Sequence, residues 1–145
     1  MTDMKKTIIG IIILLVLSIF VITRLSKTER SIQWKEYSST LFVKGKDAHH
    51  LVLLFVKSDN CHWCQETEQT TFKKASIIQL INQHYYPVVL DSDKDVKTTE
   101  KYSVMDLPTI IILDANEKMI KVFSGYIPPE EIELQLNKIS QDNPQ

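Results

Sequence analysis

Glycine is scarce in this chain, three in 145 residues, and no low-complexity tract or internal repeat is present. A linker-rich or repeat architecture is thereby excluded. Charge of one sign is lacking too: 17 Lys and Arg stand against 18 Asp and Glu, a formal net charge of -1. No basic field points to nucleic acid as a partner. Cysteine occurs only twice, too few for a disulfide scaffold. The length leaves room for one compact domain and a short appendage.

What is present is concentrated in one stretch, Ser58-Asp59-Asn60-Cys61-His62-Trp63-Cys64-Gln65. Both cysteines lie here, two residues apart. Before them Leu51 to Val56 is apolar at every position, as a central strand covered on both faces should be. After them, from Glu66, the pattern is helical through Phe72. A strand that delivers CxxC to the first turn of a helix near a βαβ pattern is a redox signature.

The N-terminus places Lys5 and Lys6 before an uninterrupted low-polarity run from Thr7 to Thr23. This describes a signal sequence or a signal anchor. The run is at the short end of the ~17–25 residues that cross a bilayer. No pair of small residues suits signal peptidase near Phe20 to Ser26, so a retained anchor is favoured over a cleaved signal. A buried core helix is disfavoured because the run has no polar face. Arg24, Lys27 and Arg30 offset the two leading lysines, so charge alone does not orient the span. A short leader favours a C-terminal domain outside the cytoplasm. The organisation expected is an anchor at 1–25, a tether at 26–31 and a folded domain at 32–143.

Within that domain Trp34, Tyr37, Leu41 and Phe42 recur at helical spacing, predicting an amphipathic helix from Ile32 to Val43 that Gly45 ends. Ile77, Ile78, Leu80 and Ile81 mark a further helix, and Tyr86 to Leu90 a buried strand. Ser92 to Tyr102 reads as a loop leading into a short helix. Leu107-Pro108-Thr109 precedes a third buried strand, Ile110 to Asp114. A turn follows in which Asn116 is the candidate for positive φ. Met119 to Phe123 reads as an antiparallel edge strand that Gly125 breaks. Pro128 and Pro129 open the last helix, whose inner face is Ile132, Leu134, Leu136 and Ile139. The order α-β-α-β-α-β-β-α predicts a four-stranded mixed sheet between helices, an α/β fold.

With these elements placed, residues Ile32 to Ile139 resemble the thioredoxin superfamily. The resemblance rests on Cys61-His62-Trp63-Cys64, on Tyr102 to Thr109 as the lead into the strand after a cis-proline, on the acidic turn Asp114 to Lys118 and on Gly125. Cys64 to Phe72, Ile81-Asn82 and Tyr86 to Asp91 are similar to a branch that includes membrane-tethered periplasmic reductases and the C-terminal domain of transmembrane thiol-disulfide interchange proteins. Phe55 stands where many thioredoxins carry a buried acid, so proton transfer must use water, His62 or another acid. Trp-Cys-Gly-Pro-Cys is absent, and Asp106 and Asn116 stand where glycine is frequent in relatives.

The resemblance implies a thiol-disulfide oxidoreductase whose redox group is the Cys61–Cys64 disulfide, with no other cofactor. Cys61, at a helix N-terminus, is the expected nucleophile: unpaired backbone N–H groups and the dipole favour thiolate, pulling its pKa from ~8.5 toward neutrality. Cys64 is the expected resolving thiol. His62 and Trp63 are expected to tune the site; Trp63 either docks partners or covers the motif's flank. The resemblance implies a cis Leu107–Pro108 bond beside the motif, with the Leu107 backbone pairing to an extended substrate segment. Expected partners are disulfide-containing proteins and a membrane or extracytoplasmic thiol donor, with the domain outside the inner membrane.

Two rival classes are weaker. Zinc held by the CxxC with His49, His50, His62 or His84 lacks the usual second ligand pair. Covalent haem attachment needs His directly after the motif, where Gln65 stands. A redox sensor or binding module without turnover, and a disulfide-forming oxidase, remain as alternatives.

Overall fold

A computed structural model describes residues 8–9, 11–18, 31–38 and 50–143. The elements are β1 (Lys35–Glu36), β2 (Leu51–Lys57), α1 (His62–Gln69), a 3-10 turn (Thr71–Lys73), α2 (Ala75–His84), β3 (Tyr85–Asp91), α3 (Val96–Lys101), β4 (Thr109–Leu113), β5 (Met119–Ser124) and α4 (Pro129–Asp142). They form a mixed sheet in the order β1-β3-β2-β4-β5. β1 and β2 run parallel to β3, while β4 lies antiparallel to both β2 and β5.

β2 is central, which explains its unbroken apolar run: each face must meet a separate core. Leu51, Leu53 and Phe55 join Ile110, Ile112 and Phe123 beneath α1, α2 and α4, where Cys64, Phe72, Ile77, Ile81, Ile132 and Leu136 complete one cluster. Val52, Leu54 and Val56 face the other way, with Val88, Leu90, Ile111, Leu113 and Tyr102. Strand alternation produces this division, since successive side chains leave opposite faces.

The sheet has five strands, not the four read from the sequence. The fifth comes from the segment expected as a helix. Trp34 and Tyr37 are three residues apart, which suits one helical face. In extended chain the same odd spacing sends them to opposite faces. Trp34 packs on Phe55 and Phe72, with ring centroids 5.6 and 5.0 Å away, whereas Tyr37 packs on the other cluster. The Tyr37 amide donates to the Val89 carbonyl at 2.9 Å, extending the pairing to β3. The rest of the expected helix, including Leu41, Phe42 and Gly45, lies outside the described residues.

Two smaller expectations also change. In the β4–β5 turn the positive φ falls on Glu117 (63°), not Asn116. The Asp114 carboxylate accepts from the amides of Asn116 and Lys118 at 2.8 and 2.9 Å, which moves the left-handed residue one position on. In α4, Ile132, Leu136 and Ile139 are buried at i, i+4 and i+7, while Leu134 falls on the opposite side and is 68% exposed. Tyr85 anchors α4 to the sheet: its hydroxyl donates to the Leu136 carbonyl at 2.6 Å. Burial of that ring raises its pKa above the ordinary tyrosine value.

Residues 8–9 and 11–18 are helical. Among the described residues no helix is long and apolar enough to cross a membrane. The rest of the expected anchor and the tether up to residue 30 lie outside the described residues.

Candidate active site

The site forms where β2 ends and α1 begins. Asp59 and Asn60 turn the chain, and the Gln65 side-chain amide donates back to the Asp59 carbonyl at 3.1 Å, pinning the turn to the helix. Cys61 is the N-cap of α1, in extended conformation with φ -89° and ψ 106°. Its Sγ accepts from the Cys64 backbone amide at 3.1 Å. Serine or aspartate oxygen usually does this work at a helix start. Here a sulfur takes that place and meets one of the unpaired N–H groups of the first turn.

Cys61 and Cys64 form a disulfide, with Cα atoms 5.2 Å apart. The two sulfur-bearing residues differ in surroundings: Cys61 is half-buried against the core, and Cys64 is 1% exposed. Such asymmetry lets one sulfur meet an incoming disulfide while the other stays shielded.

The motif's flanks are aromatic. Trp63 is 52% exposed, and its ring lies 5.2 Å from that of Tyr126 and 5.3 Å from that of His62. Its carbonyl accepts from the buried Thr67 hydroxyl at 2.8 Å, which fixes the outer turn of α1. His62 is exposed and lies edge-on to Trp63. Tyr126 was not legible as a site residue. It follows Gly125, whose φ of 81° and hydrogen bond to the Pro108 carbonyl (2.8 Å) turn the chain after β5 toward the motif.

The Leu107–Pro108 peptide bond is cis. Leu107 packs against the same core cluster as Cys61, and Pro108 is buried. The loop before β4 is held by Asp106, whose carbonyl accepts from the Thr109 hydroxyl at 2.6 Å and whose carboxylate accepts from Ser124 at 3.3 Å. Met105, beside it, is 90% exposed. Among the described residues no three of His, Cys, Asp and Glu gather closely enough to hold a metal ion; His49 lies outside them.

Residues 40–140 match the family described as thioredoxin-like domain. The chain belongs to that family. Thioredoxin from Thermus thermophilus has a similar fold, with a TM-score of 0.69 at 17% identity over 79% of this chain and 91% of that one. A DsbH oxidoreductase gives 0.65 at 17% identity over 81% and 89%. A disulphide isomerase from Xylella fastidiosa Temecula1 gives 0.60 at 17% identity over 75% and 97%. No curated protein matches the sequence. At these identities the solved structures speak for the fold alone. The thioredoxin-like domain thus carries its CxxC disulfide at the start of its first described helix of the sheet domain, an arrangement suited to thiol-disulfide exchange.

Proposed function

We propose that this chain is a thiol-disulfide oxidoreductase that reduces disulfides of proteins outside the cytoplasm. One observation carries the reading: a half-buried sulfur caps α1 and is bonded to a buried one three residues on. In the reduced protein the Cys64 amide and the helix dipole favour charge on Cys61. Thiolate Cys61 attacks a substrate disulfide and forms a mixed disulfide; Cys64 then attacks Cys61 and releases the substrate as dithiol. Trp63, inside the motif, is exposed, and Leu107 packs against the same core cluster as Cys61; both support docking of an extended segment there.

The extracytoplasmic placement rests on the N-terminal run. Its described apolar side chains, Ile8 to Leu17, are each half exposed or more, so the folded domain does not cover them. A bilayer is the medium that suits such a helix. An impermeant thiol reagent applied to intact cells tests this: labelling of Cys61 before lysis supports it, and labelling only after lysis overturns it.

Insulin reduction by the full chain, together with the Cys61–Cys64 potential, tests the reaction. Turnover with a value near thioredoxin's ~-270 mV is expected. A potential near ~-120 mV would make the protein an oxidant, and absence of turnover would leave a binding or sensing module.

A further inference from the structure

Opening the disulfide removes the covalent link that fixes Cys61 in the oxidised protein. What then keeps its sulfur on the Cys64 amide is the backbone conformation of the N-cap, φ -89° and ψ 106°. That conformation depends on the turn before it. Asp59 and Asn60 are both exposed, so burial does not fix them. Two backbone bonds serve the turn: the Cys61 amide donates to the Ser58 carbonyl at 3.3 Å, and the Gln65 amide donates to the Cys61 carbonyl at 3.2 Å. The Gln65 side chain adds a third tie, its Nε2 donating to the Asp59 carbonyl at 3.1 Å. Among the described residues no other side chain of α1 bonds back to the turn. One residue thus holds the carbonyl of Cys61 and the carbonyl two residues before it.

We propose that Gln65 is a positioning residue for the attacking sulfur: its side-chain amide keeps Cys61 at the N-cap in the reduced protein, and with it Sγ on the Cys64 N–H. This rests on the exchange reaction proposed above, in which Cys61 attacks as thiolate. The Gln65 bond is compatible with both redox states, but only in the reduced one does the turn carry the whole task of placing the sulfur. Without that bond the turn gains freedom and Cys61 leaves the cap for part of the time. The thiolate then loses the N–H that stabilises it. Gln65 is exposed and uncharged, so it acts through geometry and not through a field of its own. The titratable groups around the helix start are Asp59 in the turn, His62 and Glu66 on α1 and Tyr126 after β5; Lys94 interacts with the Asp59 charge from the loop after β3. All of them stay in place when residue 65 alone is changed.

The full chain with Cys64→Ser keeps Cys61 as its one thiol, and its alkylation rate against pH reads the ionisation of that thiol. Adding Gln65→Met preserves the length of the side chain and removes the donor without adding charge. The midpoint is expected to rise by about 0.5–1 unit, the equivalent of one hydrogen bond, with the alkaline rate unchanged. Gln65→Ala should do the same. Gln65→Lys restores an N–H of similar reach and should return the midpoint to that of the parent in ~1 M salt, where its charge is screened. An unmoved or lowered midpoint in Gln65→Met, a rate reduced equally at every pH, or a Gln65→Lys midpoint in salt that follows Gln65→Met overturns the proposal. A midpoint at or above ~8.5 with Gln65 in place would instead overturn the thiolate reading itself.

Discussion

Two helices of this domain begin in the same way with different atoms. At α3 the Asp95 carboxylate accepts from the Thr98 amide at 3.1 Å; at α1 the Cys61 sulfur accepts from the Cys64 amide, also at 3.1 Å. Asp95 spends its second oxygen on the Thr98 hydroxyl at 2.7 Å, so its charge is fully engaged within the turn. Those bonds, the hydroxyl first and the amide second, hold its carboxyl below the usual range. The α1 cap has one amide and a sulfur that is bonded to Cys64. One helix start uses its N–H groups to hold structure; in the exchange proposed above, the other lends them to a group that changes charge.

Removing each cap should therefore have opposite consequences. Cys61→Ser is expected to abolish disulfide reduction while leaving the helix intact, because serine is itself a good N-cap. Insulin turnover and the urea midpoint of the reduced protein, measured side by side, check this; residual native turnover would break the contrast. Cys64→Ser should stop the cycle halfway, and the mixed disulfide should accumulate as a covalent adduct visible by mass spectrometry. Asp95→Ala should do the reverse, lowering the urea midpoint while turnover persists. Trp63→Ala should raise KM for protein substrates a fewfold with kcat nearly kept, since the ring is half exposed and packs on the rings of Tyr126 and His62.

The smallest effect concerns acid. Asp95's folded pKa lies below its unfolded value, so its contribution is complete above ~3.9 and is lost as pH falls through the lowered value. Asp95→Ala should therefore lose less stability than the native chain between neutral pH and strong acid. Parallel urea titrations at both pH values read the difference.

The fold was legible where pattern and packing agree. An apolar run such as Leu51 to Val56 has one good solution, a strand covered on both faces, and that strand fixes where Cys61 emerges. β1 was not legible, because two exposed residues, Lys35 and Glu36, carry no alternation and their aromatic neighbours match a helical period. Local chemistry misled at Asn116, where Asp114 dictates the turn from two positions earlier. Within the site, the cysteines could be read from spacing alone. Tyr126 could not, since it reaches Trp63 from the end of β5, and only the sheet brings it there.

The account turns on charge being easier to place on Cys61 than on an ordinary cysteine. In a Cys64→Ser variant the capping amide remains and Cys61 is the only thiol, so the pH dependence of its alkylation rate gives its pKa directly. A midpoint clearly below ~8.5 is the predicted result. A midpoint at or above that value would contradict it, and the start of α1 would then be an ordinary cap with a sulfur in it.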